Sequence, residues 1–589
     1  MADIALGRGM AVPRSRANAI DWVIAHREIL AVGAIMVVAA VLHFWGLGDK
    51  AFHHDESLHA TYSWYLYDGR GYEHNPLMHG PFQFHAAAAM MFLFGDTDFT
   101  VRICAAVFGT ILCGMPYLLR KQIGMTAVII AMVLLTISPT LLYFGRFLRE
   151  DIYTAVWTFA IVICVWRYLD EGKEVFLYGL GAAMALSFAT KEVTFITVAV
   201  LLIFLNLALA VELARRNDGE KDDAAGTIFR SALIAPVAFL IAGVWPLLGK
   251  RPFGRERLPL VGDLLVVAGT LALPQFSAAI QVITGDKGYN VPAEDTLRIL
   301  TVSSLIVVSV YVGLMWRPKT WFFVACAFYV PYILLYTTFF TNLDGFLSGI
   351  WGSLDYWLGQ HDVRRGNQPI YYYTMVTPLY EFLPLIVGTV GAIWLALRGD
   401  TPRRWLLFWF IGVFIGLSVA GEKMPWLEAH IALPLALIAA VALSRAIEAL
   451  DLTGNRWLTA TAVGAITIAA VMLMVDGDGG LRYVGFAGAA LLGAWLLVSL
   501  IRDLPSRLGS EAVRLFASPE LLWSVAALVA LAVFLAAASR VTTSIEALFA
   551  VWVLALVPVV IVGHLFAVLM RQSKSFGRGV LVIGVAALA

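Results

Sequence analysis

The stretch ILAVGAIMVVAAVLHFWGL, residues 29–47, runs through a short linker into His53-His54-Asp55-Glu56-Ser57-Leu58-His59. A hydrocarbon layer about 30 Å thick is crossed by a helix of roughly 20 apolar residues, so the first part reads as a membrane span. The second part is the most polar cluster near any such run. An apolar span ending in concentrated charge is the pattern from which the rest of the chain is read. Of 589 residues, 60% are hydrophobic and 14% charged, and the mean hydropathy is +0.80. A soluble domain averages about 45–50% apolar and about 25% charged, so water is not the main solvent here. The net charge of +1 gives no basis for a nucleic-acid partner.

Further apolar runs follow near residues 98–119, 124–142, 152–169, 175–190 and 193–213, and then near 231–248, 259–282, 298–316, 321–341, 379–397, 405–420 and 427–447. The last group covers 457–475, 482–501, 521–539, 546–570 and 579–589. The expected fold class is an all-α polytopic membrane protein of about 16 transmembrane helices. Cations at Arg120 and Lys121, at Lys173 and at Arg215 to Lys221 place those connectors, and the N-terminal segment 1–28, in the cytoplasm. The same rule turns residues 48–97, 143–151, the Thr190–Glu192 turn and 342–378 outward. Parity fails once, because four candidate spans lie between 230 and 342 where an odd number is needed. Residues 29–450 read as a catalytic transmembrane module and 451–589 as additional helices with little polar chemistry. Cys104, Cys113, Cys164 and Cys326 sit in apolar runs, which argues against disulfides and thiolate metal sites.

Outer segments 48–97 and 342–378 exceed ordinary connection lengths and are rich in Tyr, Trp, His and Gly, so structured and functional loops are expected. In the first, Leu58, Tyr62, Tyr65 and Leu66 recur at helical spacing, which suits an amphipathic helix beside the membrane. Eight of the eleven histidines precede residue 86. Adjacent Asp55 and Glu56 would repel if both were ionised in a confined site, so one could carry a raised pKa suited to deprotonating a hydroxyl. Arg149 with Asp151, Lys191 with Glu192, and Glu422 with Lys423 repeat the pairing of cation and carboxylate at three more outward junctions, the last with His430 a turn onward. Paired cations would stabilise charge on a departing phosphate. A solvated acidic loop and a snorkelling Arg149 capped by Asp151 are the plainer readings. His53, His54, Asp55 and Asp151 are metal-ligating residue types, although their spacing matches no zinc signature, so a divalent metal stays open and no cofactor is required.

The order of these motifs resembles the GT-C superfamily, multi-span glycosyltransferases that use polyprenyl-phosphate sugars. The acidic pair after the first span resembles its first-loop acidic motif. Asn75-Pro76-Leu77-Met78-His79-Gly80-Pro81, with Phe94-Gly95 to Arg102, is similar to the second juxtamembrane stretch of protein O-mannosyltransferases. Ser138-Pro139 to Arg146 with Arg149 and Asp151 is similar to their second loop. Thr190-Lys191 resembles the aminoarabinose-transferase relatives, and Tyr371-Tyr372-Tyr373 with Pro384 resembles a segment before a late helix of the group. Glu422-Lys423-Met424-Pro425-Trp426 with His430 and Pro434 looks most like the prokaryotic flippase-activity-associated branch of glycosylation clusters. The second loop has no DxE, so the metal-dependent oligosaccharyltransferase pattern is not met.

The resemblance implies an inverting transfer of a sugar from a polyprenyl-phosphate carrier to an acceptor hydroxyl on a protein, lipid or glycan, at the extracytoplasmic face of the inner membrane. It implies Asp55 and Glu56 as catalytic carboxylates and Arg149, Lys191 and Lys423 as ligands of the donor phosphate, supported by His54, Asp151, Glu192, Glu422, His430 and Tyr372. A lipid-sugar flippase or transporter, and a non-catalytic subunit of a glycosylation complex, are the alternatives.

Overall fold

The computed structural model describes residue 22 and residues 25–216, 259–279, 296–363, 367–398 and 401–449. The expected C-terminal helices of 451–589, the run at 231–248 and most of the 214–229 loop lie outside the described residues, and with them the question of parity.

In chain order the helices are α1 (Arg27–Phe44), α2 (His54–Tyr67), α3 (Phe82–Phe94), α4 (Asp98–Gly114), α5 (Met125–Ile137), α6 (Pro139–Phe144) and α7 (Glu150–Glu171). They continue as α8 (Val175–Phe188), α9 (Val193–Arg216), α10 (Leu260–Ala272), α11 (Thr296–Trp316), α12 (Pro318–Tyr336) and α13 (Ser353–Val363), then α14 (Tyr372–Tyr380), α15 (Phe382–Arg398), α16 (Thr401–Val419) and α17 (Ala429–Ala449). The described residues contain no strand. Among the described residues, eight helical segments are long and apolar enough to cross a membrane by length and composition, and shorter apolar helices accompany them at Phe82–Phe94, Met125–Ile137, Val175–Phe188 and Val193–Leu209. The chain is a multi-pass membrane protein.

Local chemistry sets the helix ends. The His53 imidazole accepts the Asp55 N–H while the Glu56 carboxylate accepts the His53 N–H, a reciprocal capping box that starts α2. Ser138 caps the Leu141 N–H with Pro139 at the first helical position of α6. Left-handed Gly172 closes α7.

The segments Leu260–Ala279 and Pro425–Arg445 are 94% and 89% buried over their most apolar windows, whereas those of Arg27–Phe44 and Arg298–Trp316 are 11% and 22% buried. Equal hydropathy thus divides into interior helices and helices whose apolar faces look outward, as lipid contact requires. Helix α17 packs on α15, α5, α16 and α7, and α8 packs between α7 and α12. The two long outer segments meet. His74 Nδ1 lies 2.8 Å from Ser348 Oγ, and the Thr338 hydroxyl donates to the Tyr72 carbonyl at 2.8 Å.

The expected loop helix forms as α2, and its buried stripe is Glu56, His59, Ala60 and Ser63. Leu58 and Tyr62 lie on the exposed side. Protein neighbours therefore take Glu56, His59 and Ser63, while Leu58 and Tyr62 stay exposed beside Ser57 and Thr61.

Candidate active site

The site assembles where α2 and α7 begin, where the Ala189–Glu192 turn links α8 to α9, and where the 421–428 segment enters α17. Asp151 in the first turn of α7 is fully buried and holds three partners. The Lys191 ammonium donates to both of its oxygens at 2.7 Å, Arg149 Nε lies 3.3 Å from Oδ2, and His430 Nε2 lies 3.3 Å from Oδ1. Arg149 also donates through Nη1 to Asp55, and its guanidinium lies flat over Trp426, 3.6 Å from the ring centroid. The side chains of Arg149 and Lys191 are 5% and 4% exposed. Arg149 is therefore no snorkelling residue. A buried charge is tolerated where opposite charge and hydrogen bonds meet it, and this chain of contacts supplies both.

The adjacent acids diverge. Glu56 receives Arg102 Nε and Nη2, each at 2.8 Å, and the Leu148 N–H at 3.0 Å, in addition to its capping contact. Burial pushes its carboxyl up, but Arg102 and the two backbone amides hold it below its ordinary value. Glu56 is thus a buried strut between α2, α4 and the Leu148 loop, and the expectation that the pair competes for one proton is corrected: each carboxylate has its own arginine. Asp55 is 24% exposed in its side chain, against 3% for Glu56, 0% for Asp151 and Glu150 and 5% for Glu192. Among these acids it is the one that a substrate can reach.

A small cavity of about 20 Å³ opens beside this group, lined by His79, Lys191, Glu192, Trp357, Glu422 and Trp426 among others. His79 Nδ1 lies 2.6 Å from Glu192 Oε2. Burial lowers the affinity of this imidazole for a proton, but Glu192 and Glu150 outweigh it and hold the pKa above its ordinary value. Gly80 makes the approach possible. Its N–H donates to the Thr190 carbonyl at 3.1 Å, and an added Cβ would fall 2.3 Å from the Ala189 backbone. Only a residue without a side chain brings the first loop this close to the lysine turn.

The remaining assignments divide. His430 and Glu192 join the cluster, and Glu422 lines the cavity. Lys423 Nζ donates to the Ala420 carbonyl at 2.8 Å, and Trp426 of the same motif lies against Arg149. His54 is exposed at the start of α2, outside the cluster. The hydroxyl of Tyr373, not Tyr372, bonds the Met424 backbone, and Tyr372 packs on it edge-on at 5.1 Å. The metal set does not assemble, because His53 caps α2 and Asp151 is taken by two cations and an imidazole. Among the described residues no group of three His, Cys, Asp or Glu is arranged to hold a metal.

Several residues carried no expected role, Arg102 among them although it ends the stretch similar to protein O-mannosyltransferases. Arg102 fixes Glu56. Glu150, fully buried, lies 3.2 Å from both His59 Nε2 and Gln83 Nε2. Glu381 accepts from the Ser138 hydroxyl at 2.6 Å and is buried, as is Glu428. An acid next to an apolar run is the signal that could have marked the last two.

Residues 78–221 match the family described as dolichyl-phosphate-mannose-protein mannosyltransferase, a span that contains Arg149, Asp151 and Lys191 and leaves out Asp55. The match bears out the resemblance to polyprenyl-phosphate-dependent membrane glycosyltransferases of the GT-C superfamily. No curated protein matches the chain. Solved structures with a similar fold include the apo oligosaccharyltransferase of Archaeoglobus fulgidus, at 15% identity and TM-score 0.45, covering 79% of this chain and 56% of that one. ArnT of Cupriavidus metallidurans bound to undecaprenyl phosphate is similar at 14% identity and TM-score 0.40, covering 95% of this chain and 75% of that one. This chain thus spans little more than half the length of the archaeal enzyme.

Proposed function

We propose that this chain, which carries the mannosyltransferase-family pattern over residues 78–221, transfers a sugar from a polyprenyl phosphate to an acceptor hydroxyl. The observation that carries the reading is the unbroken run of contacts from Asp55 through Arg149 and Asp151 to Lys191, with Asp55 the most accessible acid along it.

In the proposed reaction Asp55 accepts the proton of the acceptor hydroxyl, and that oxygen attacks the anomeric carbon. The bond from that carbon to the phosphate oxygen breaks on the opposite face, so configuration inverts, and the phosphate departs with the electron pair. Arg149 and Lys191 meet the developing charge from positions already fixed by Asp151 and Trp426, so little reorganisation is needed as the charge forms. The two cations themselves neutralise the phosphate, and no step is routed through a metal. The cation distribution places the N-terminus in the cytoplasm and this end of the helices at the extracytoplasmic face of the inner membrane. Residues 29–450 form the catalytic module and 451–589 an appended one. Lys423 enters as a secondary contact of the donor.

The test is transfer of radiolabelled sugar from a polyprenyl phosphate to acceptor by the full chain in detergent, where translocation has no meaning. Transfer that disappears in Arg149→Ala and Lys191→Ala supports the proposal. Lipid-phosphate binding with no transfer under any acceptor replaces it with a lipid-sugar transporter.

A further inference from the structure

The first outer loop builds a second, larger cavity that the reaction above does not use. Its volume is about 540 Å³, within the range of about 300–1,000 Å³ typical of small-ligand sites, and it opens at the surface. Tyr62, Tyr65, Gly71, Tyr72, Glu73, His74, Asn75 and Pro76 line it.

The aromatic wall is arranged in advance. Tyr62 and Tyr65 meet edge to face at 5.9 Å, and the Arg70 guanidinium caps Tyr65 at 5.2 Å from its centroid. Tyr72 is stacked on Phe84 at 4.9 Å. Gly71 adopts a φ of +82°, and nothing lies within 4 Å of where its Cβ would be, so the chain turns there without closing the space.

Two polar atoms lie behind the wall of this space. Tyr72 Oη and His74 Nε2 are buried yet have no hydrogen-bond partner among the described residues. Burial lowers the His74 pKa to about 3, so this imidazole is neutral at any ordinary pH and serves as a hydrogen-bonding group, not as a charge. Glu73 is exposed beside them, and Asn75 uses its carboxamide oxygen on the Leu77 N–H, which keeps its Nδ2 as a donor.

We infer that this cavity binds the carbohydrate end of the acceptor. A pyranose presents polarised C–H bonds on one face and hydroxyls around its edge. Ring faces of Tyr carry negative charge density that suits the first, and the Glu73 carboxylate, the Asn75 carboxamide and the phenols of Tyr62 and Tyr65 suit the second. A phosphate would meet Glu73 with no cation among the lining residues, and an alkyl chain would cover Glu73 and Asn75 without giving them hydrogen-bond partners. The location fits as well. Pro76 lines this cavity and His79 lines the small one beside Lys191, and three residues of chain reach at most about 10 Å. The Pro76 wall of the cavity therefore lies within about 10 Å of His79.

The inference rests on the transferase reading and narrows its acceptor to a glycan. Saturation-transfer NMR of the full chain in detergent, with mannotriose as probe, tests it. The expected result is saturation of the pyranose ring protons in the parent chain, in Asp55→Asn and in Tyr65→Phe, and at least a fivefold loss in Tyr65→Ala. Glu73→Gln, at an exposed position, provides the second variant and is expected to weaken the signal two- to fivefold. Absence of saturation in the parent, equal saturation in both Tyr65→Ala and Glu73→Gln, or saturation of a serine-containing hexapeptide in place of the trisaccharide overturns it. Polyprenyl-phosphate binding, measured separately and expected to be unchanged in Tyr65→Ala, reports on the transferase reading. Its loss in the parent chain would remove that reading while leaving the glycan result interpretable.

Discussion

Two parts of the same loop, six to twenty-one residues apart in sequence, solve opposite problems. At Asp55 and Glu56 every charged side chain is held by a counter-charge, in a run that passes through Arg149, Asp151 and Lys191. At residues 62–76 the rings are fixed but Tyr72 Oη and His74 Nε2 remain unpaired. The first arrangement suits a site whose charges must not move when the substrate's charge shifts. The second suits a site that offers ring faces and exposed polar groups to a ligand. Preorganisation thus has two forms here, one electrostatic and one of shape and stacking.

The sharpest way to break this comparison lies at its charged end. Asp55→Asn keeps the shape of the side chain and removes the proposed proton acceptor, so transfer should fall about 10²–10⁴-fold, the usual contribution of a positioned base. The initial rate of labelled-sugar transfer measures it, with an unchanged melting temperature as the control. Next in size is Asp151→Asn. It strands the buried Lys191 ammonium, and removing one partner of a buried pair costs about 3–5 kcal/mol, which thermal unfolding in detergent should register as a large drop.

Gly80→Ala probes the joint between the two ends. The new Cβ overlaps the Ala189 backbone, which cannot yield as a side-chain tip can, and overpacking of this kind costs about 1–3 kcal/mol. Its effect on transfer should exceed its effect on stability, because the displaced turn carries Lys191.

The smallest effect is pH-dependent. The folded-state pKa of His79 lies above 6.5, so the stability contributed by its contact with Glu192 is fully present below pH 6.5 and is lost as pH rises through the raised value. Stability measured from pH 6 upward should decline in the parent chain and be flatter in His79→Asn. A parallel decline in both would show that the imidazole is not the titrating group.

Much of the fold was legible along the chain, because spans need only apolar length. The runs at 152–169 and 193–213 become α7 and α9 with ends shifted by a few residues. The convergence of Asp55, Arg149 and Lys191 was legible too, because each sits at a polar junction between apolar runs, and alternate junctions of a multi-span chain share one face of a membrane. Individual roles within motifs were not. Nothing in the sequence separates Asp55 from Glu56, and the distinction arises because Arg102, 46 residues further on, takes Glu56 out of reach. Lys423 and Trp426 sit in one motif, and only packing sends the lysine to a backbone carbonyl and the indole to the face of Arg149.

What the amino-acid sequence determined by itself is the solvent, the class of fold and the face on which polar chemistry gathers. Those follow from hydropathy and charge counted over short windows, quantities that do not depend on what folds against what. The tertiary structure alone decided which acid stays accessible, which cations are held in place and where an aromatic cavity opens. Those depend on distances between residues far apart in the chain, and in a low-dielectric interior a few ångströms decide whether a carboxylate is a strut or a reagent.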